Sequence, residues 1–112
     1  MIISEYQKQV DRWIKEFGVR YFDEKTNMIL LVEEVGELAR LVARVYGEQS
    51  FKKEQSNKDI KGLLADEIGD VLFVLTCLSN QMDIDLEKVI KDNFKKKTIR
   101  DKDRHRNNEK LS

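Results

Sequence analysis

Proline is missing altogether from these 112 residues, glycine occurs only five times, and there is one cysteine and one histidine. Without proline, no helix is broken by a residue that lacks an N–H, so long uninterrupted helices are permitted. A single cysteine, Cys77, excludes a disulfide within the chain; set in an apolar run, it reads as a buried, inert thiol. The single histidine, His105, falls in a polar tail, which removes the usual ligand of zinc and of di-iron bundles. An excess of one charge is also missing. Lys+Arg and Asp+Glu stand at 21 each, so net charge makes no case for nucleic acid or an anionic membrane as partner. No apolar stretch is long enough to span a membrane. The opening residues Met1-Ile2-Ile3-Ser4-Glu5 lack the basic and apolar regions of a secretory signal, so a cytoplasmic location is expected.

What is present is helical periodicity. Ser4 begins a Ser-x-x-Gln box with Gln7, and Tyr6, Val10, Trp13, Ile14 and Phe17 follow at helical spacing up to Gly18. Asp23 is placed to cap a second helix ending near Tyr46, with Gly47 after it. The polar stretch from Glu48 to Asn57 reads as a loop. A third helix is expected from about Asp59 to Gln81, a turn at Met82 to Asp85, and a fourth helix from Leu86 to about Lys97. The expected fold is all-α, a bundle of two long and two shorter helices in a domain of residues 1–97, with residues 98–112 a polar, flexible tail.

Two acidic doublets stand inside these helices, Glu34-Val35-Gly36-Glu37 and Glu67-Ile68-Gly69-Asp70. Spacing of i, i+3 puts both acids of a doublet on one helix face. On a helical wheel, Glu34 sits amid the arc of Leu31, Leu38, Leu41 and Val45, with Glu37 at its rim. Glu33 falls outside that arc, near Arg40 and Arg44. Glu67 and Asp70 lie within the arc of Leu63, Val71, Val74, Cys77 and Leu78. Acids where packing would choose Leu or Val are costly unless a cation meets them. That cation is either a metal or a neighbouring Lys or Arg. Gly36 and Gly69, each between two acids, are expected to let the two helices approach closely. Four carboxylates without histidine favour Mg²⁺, with Mn²⁺ as substitute, and Mg²⁺ commonly shares its shell with phosphate oxygens.

At this point the sequence resembles the MazG-like nucleotide pyrophosphohydrolases of the all-α NTP pyrophosphatase superfamily. The resemblance rests on Glu33-Glu34-Val35-Gly36-Glu37-Leu38 followed by Asp66-Glu67-Ile68-Gly69-Asp70-Val71, an E-E-x-x-E segment and an E-x-x-D segment. It implies hydrolysis of nucleoside triphosphates to monophosphate and pyrophosphate, with Mg²⁺ held by Glu34, Glu37, Glu67 and Asp70. It also implies a homodimer or a tetramer built from dimers, and a house-cleaning role against noncanonical or excess nucleotides. Some relatives specific for pyrimidine deoxynucleotides carry an aromatic residue where this chain has Arg44 and Val74, which leaves base preference open.

For the reaction itself, Glu37 at the rim is the candidate to accept a proton from the attacking water. Lys96, Lys97 and Arg100 are candidates for the triphosphate, and Asn93 for a phosphate or sugar hydroxyl. The base needs a flat apolar surface, for which Trp13 is the candidate beside Phe17, Tyr21 and Phe22, with Asn27 as a polar contact. The competing expectations are an all-α dUTP- or dCTP-type diphosphatase and a non-catalytic helical dimer that binds nucleotide or regulates.

Overall fold

The computed structural model describes residues 2–48 and 59–111 and is helical throughout, with no strand among the described residues. Helix α1 spans Ile3–Phe17, α2 Glu24–Tyr46, α3 Ile60–Gln81, α4 Leu86–Arg100 and α5 Lys102–Arg106, with a last 3-10 turn at Glu109–Leu111. The all-α reading with four main helices holds. Most of the expected loop after Gly47 lies outside the described residues.

Three of the four main helices start as their sequences suggest. Asp23 accepts from the Thr26 N–H, Asp59 from that of Gly62, and Asp85 from those of Glu87 and Lys88, each satisfying donors left open by the first turn. The first helix corrects the reading. Its cap is Ile2 and no side chain caps it, so the Ser4–Gln7 box does not form. Gln7 is used across the fold instead. Its Nε2 donates to Asn80 Oδ1 at 3.0 Å and to the Ile84 carbonyl at 2.9 Å, while its Oε1 accepts from the Leu86 N–H at 2.8 Å. Asn80 Nδ2 in turn donates to the Gln7 carbonyl and to the Tyr21 hydroxyl, and that hydroxyl donates to Asp11 at 2.7 Å. Burial and the bond to Asp11 hold the Tyr21 pKa at about 12, so it stays a donor. This network ties α1 to the α3–α4 turn, where Asp83 takes φ 53°. Replacing Asn80 by Leu strands several of these groups and is expected to cost about 2 kcal/mol, read as a lower urea midpoint at unchanged m-value.

The fourth helix runs past Thr98 to Arg100, and α5 follows within the polar segment. Helix α2 packs chiefly on α3, and α1 lies against α3 and α4. Asn27, at the start of α2, bonds Gln81, at the end of α3, so these two helices run antiparallel. The core beneath α1 is small, formed by Val10, Ile14 and Cys77 with Tyr6, Tyr21 and Phe73 packed around it. Cys77 is 3% exposed, and burial pushes its thiol pKa up to about 11, which agrees with an inert thiol.

The radius of gyration is 17.7 Å, against about 13 Å for a compact domain of this length. The excess reflects an open face. On α2, Met28, Val32, Val35, Ala39, Val42 and Tyr46 are all exposed, and they follow a four–three spacing along one stripe. On α3, Ile68 and Leu72 are 49% and 50% exposed. Much of the surface of these side chains is left uncovered by the described residues, and burying it requires another surface.

Candidate active site

The α2–α3 seam carries the acids. Oxygens of Glu34, Glu67 and Asp70 lie within 4.8 Å of one another, a spacing that a single cation can bridge. Glu67 is half-buried, and its Oε2 is sealed from solvent with no hydrogen-bond partner among the described residues. Its pKa is raised, first by burial, then by contact with the Glu34 carboxyl and by the charges of Glu34, Asp70 and Glu37. An orphaned carboxylate oxygen among other carboxylates is the environment a hard divalent ion would relieve, and an all-oxygen donor set suits Mg²⁺ or Mn²⁺. The residues present therefore fit such an ion.

Glu37 stands beside this cluster rather than within it. Its carboxylate accepts from Arg40 Nε at 3.3 Å, one helical turn along α2. Arg40, expected near Glu33, thus serves Glu37, and Glu33 is exposed. Gly36 and Gly69 also depart from expectation. A methyl group on either would meet nothing within 4 Å, because both point away from the α2–α3 contact into open space. Neither is needed for α2 and α3 to meet.

One helical turn from the acids, the seam opens into a cleft of about 350 Å³. Leu30 precedes Glu34 by four residues and Val74 follows Asp70 by four, and both line it together with Trp13, Phe73 and Cys77. Trp13 is 50% exposed and meets Phe73 edge-on at 5.8 Å, so it is a wall of the cleft and not core. Phe17 stacks obliquely on Trp13 at 5.9 Å. The mouth is shaped by the α1–α2 link. There the Arg20 N–H donates to the Gly18 carbonyl across Val19, whose φ is 69°. A positive φ on a β-branched residue is strained, and the tight turn brings Arg20, Tyr21 and Phe22 to the rim. Asn27 lies at the far end of the cleft, 5% exposed.

The structure thus brings Trp13 and Asn27 to a cleft that adjoins Glu34, Glu67 and Asp70. It does not bring the α4 candidates there. Asn93 lines a separate apolar groove with Leu72, Leu75 and Phe94. Lys97 and Arg100 share an open polar groove with Arg104 and His105, and both ion-pair with Asp101. Lys96 is exposed on the same helix. Sequence reading missed Gln81, whose amide meets Asn27 at the end of the cleft; its partner is 54 residues away, and no local signal marks it.

The model of the MazG nucleotide pyrophosphohydrolase domain matches residues 22–105, which include both acidic doublets and the cleft walls of α2 and α3. The chain is 44% identical over 102 residues to YpjD of Bacillus subtilis (strain 168), covering 91% of this chain and 88% of that protein. It is 34% identical over 97 residues to YvdC of the same organism, covering 80% and 91%. Among solved structures, YPJD of Bacillus subtilis superposes with a TM-score of 0.75 at 43% identity, covering 86% of this chain and 94% of that one. A Bacillus-conserved MazG protein, described as a nucleotide pyrophosphohydrolase, superposes with a TM-score of 0.73 at 38% identity, covering 92% and 96%. The chain whose two antiparallel helices hold these carboxylates beside an apolar cleft is accordingly a hydrolase and belongs to the MazG nucleotide pyrophosphohydrolase family.

Proposed function

We propose that this protein hydrolyses nucleoside triphosphates, ribo or deoxy, to the monophosphate and pyrophosphate in a Mg²⁺-dependent reaction, and that it removes noncanonical or excess nucleotides in the cytoplasm. The observation that carries the reading is the buried Glu67 Oε2, without a hydrogen-bond partner among the described residues, in a cluster of three carboxylates next to an apolar cleft. Glu34, Glu67 and Asp70 would hold Mg²⁺ or Mn²⁺. When bound, such an ion supplies neutralisation of the negative charge that develops on the phosphates. The layout along the seam matches a nucleotide, with the phosphates at the acids and the base between Trp13, Leu30, Phe73 and Val74. Asn27 precedes Glu34 by seven residues, about 10 Å along α2, a span comparable with the nucleotide itself.

Glu37 is free of the carboxylate cluster and is held in place by Arg40, so it takes the role of accepting the proton of the attacking water. Lys96, Lys97 and Arg100 receive the leaving pyrophosphate. Helix α4 holds them apart from the acids of their own chain, so in this reading they serve the acids of a second copy. That copy would pack on the exposed apolar stripes of α2 and α3, giving a homodimer or a tetramer of dimers.

Phosphorus NMR of the protein with Mg²⁺ and a panel of canonical and modified NTPs tests the reaction. Monophosphate and pyrophosphate are expected, and both vanish when EDTA removes the metal. Diphosphate and orthophosphate would place the attack on the wrong phosphorus, and no turnover of any nucleotide would refute the reading.

A further inference from the structure

At the end of the cleft away from the acids, three groups form a relay of fixed polarity. The carbonyl oxygen of Phe22 can only accept a hydrogen bond. Gln81 Nε2 donates to it at 2.5 Å, which fixes the orientation of the Gln81 amide and turns its Oε1 toward Asn27. Asn27 Nδ2 donates to that oxygen at 2.8 Å and to the same Phe22 carbonyl at 3.4 Å. An amide nitrogen has two hydrogens, and both are now committed within the protein. The capacity left to Asn27 is the acceptor Oδ1, for which no donor is present among the described residues.

We infer that Gln81 is a positioning residue for base selection: it locks Asn27 as an acceptor only, so the cleft favours bases with an exocyclic amino group over bases with a keto–imino edge. The inference rests on the nucleotide reading above. A freely rotating asparagine offers a donor and an acceptor side by side, and by flipping it pairs equally well with cytosine or uracil. A locked one cannot flip. Facing uracil or hypoxanthine, Oδ1 meets an imino N–H flanked by a carbonyl oxygen. That oxygen is repelled by Oδ1, and the walls of Leu30, Phe73 and Val74 offer it no donor; the donors of the lining, the Trp13 indole N–H and the Arg20 guanidinium, stand on α1 and the α1–α2 link. Facing cytosine or adenine, Oδ1 meets an amino N–H that projects beyond the ring. Burying one unpaired polar group is enough for a preference of about tenfold.

Trp13 is the only tryptophan and forms a wall of the cleft, so its fluorescence reports occupancy independently of hydrolysis. The test titrates the protein, in Mg²⁺ buffer, with CMP, UMP, AMP and IMP. CMP is expected to bind about tenfold more tightly than UMP, and AMP than IMP. In Gln81→Met both ratios should fall to about one, because UMP and IMP gain once Asn27 can turn. Equal affinities in the unaltered protein overturn the inference, and that comparison needs no variant. A Gln81→Met protein that melts normally yet keeps both ratios also overturns it. Preference for the amino bases without any NTP turnover would support this inference while refuting the hydrolytic reading. Pyrophosphate release without a fluorescence response to any of the four would do the reverse.

Discussion

Glu67→Gln abolishes turnover and stabilises the metal-free protein. Loss of one of the carboxylates that fit the metal is expected to lower NTP hydrolysis at least about a thousandfold, several kcal/mol of charge stabilisation. The same change removes a half-buried negative charge that faces Glu34, Asp70 and Glu37. That relief is worth about 1 kcal/mol, or about 4 °C in Tm for a domain of this size. The pH dependence follows from the direction of the shift. The Glu67 pKa is raised in the folded state, so the folded chain holds its proton more tightly than the unfolded chain does. Stability is therefore greatest below the unfolded value and is lost as pH rises through the folded one. Asp11, Asp23 and Asp101 are shifted downward by their hydrogen bonds and charged neighbours and give the opposite slope, but they give it equally in both proteins. Melting curves in EDTA from about pH 4.5 to about pH 8 isolate the difference, since the gap in Tm should widen toward neutral pH. A variant that melts no higher than the parent at neutral pH would show that Glu67 is not held against its neighbours at a cost.

The second large effect is expected at Leu72→Lys. Leu72 is 50% exposed in the single chain, so a monomer would tolerate lysine there at little cost. If a second copy covers this face, the change removes about 1 kcal/mol of apolar burial and leaves a charge to be desolvated at a cost of about 3 kcal/mol more. A total of about 4 kcal/mol weakens association about a thousandfold. Sedimentation or light scattering at micromolar concentration should then find an oligomer for the parent chain and a monomer for the variant. Turnover should fall with the oligomer, because Lys96, Lys97 and Arg100 reach the acids of another chain in this reading. A variant that stays oligomeric with full activity would move the interface off α3.

Local chemistry made much of this molecule legible in its sequence. Asp23, Asp59 and Asp85 mark helix starts because a short acid there bonds backbone N–H groups two or three residues on. Glu34, Glu67 and Asp70 stand out because they interrupt apolar arcs, and the structure gathers them. What failed was non-local. Ser4 and Gln7 have the spacing of a capping box, but Gln7 is drawn to Asn80 and Ile84, more than 70 residues away. Gly36 and Gly69 lie between acids in sequence, yet at 100° per residue they turn away from the seam. Nor could composition say where the basic end of α4 would lie; the structure sets it in a polar groove apart from the acids of its own chain. The stripe from Met28 to Tyr46 was readable as a heptad-like spacing, and only its exposure distinguishes an interface from a core.

The thiol of Cys77 bears on how the protein can be handled and on what can damage it. Oxidants and maleimides attack the thiolate, and a thiol held near a pKa of about 11 and 3% exposed presents almost none of it at neutral pH. Toward such reagents the chain behaves as if it had no cysteine. A cysteine introduced on the open face of α2 or α3 would be the sole labelled position, with the native sulfur left in place beneath the cleft.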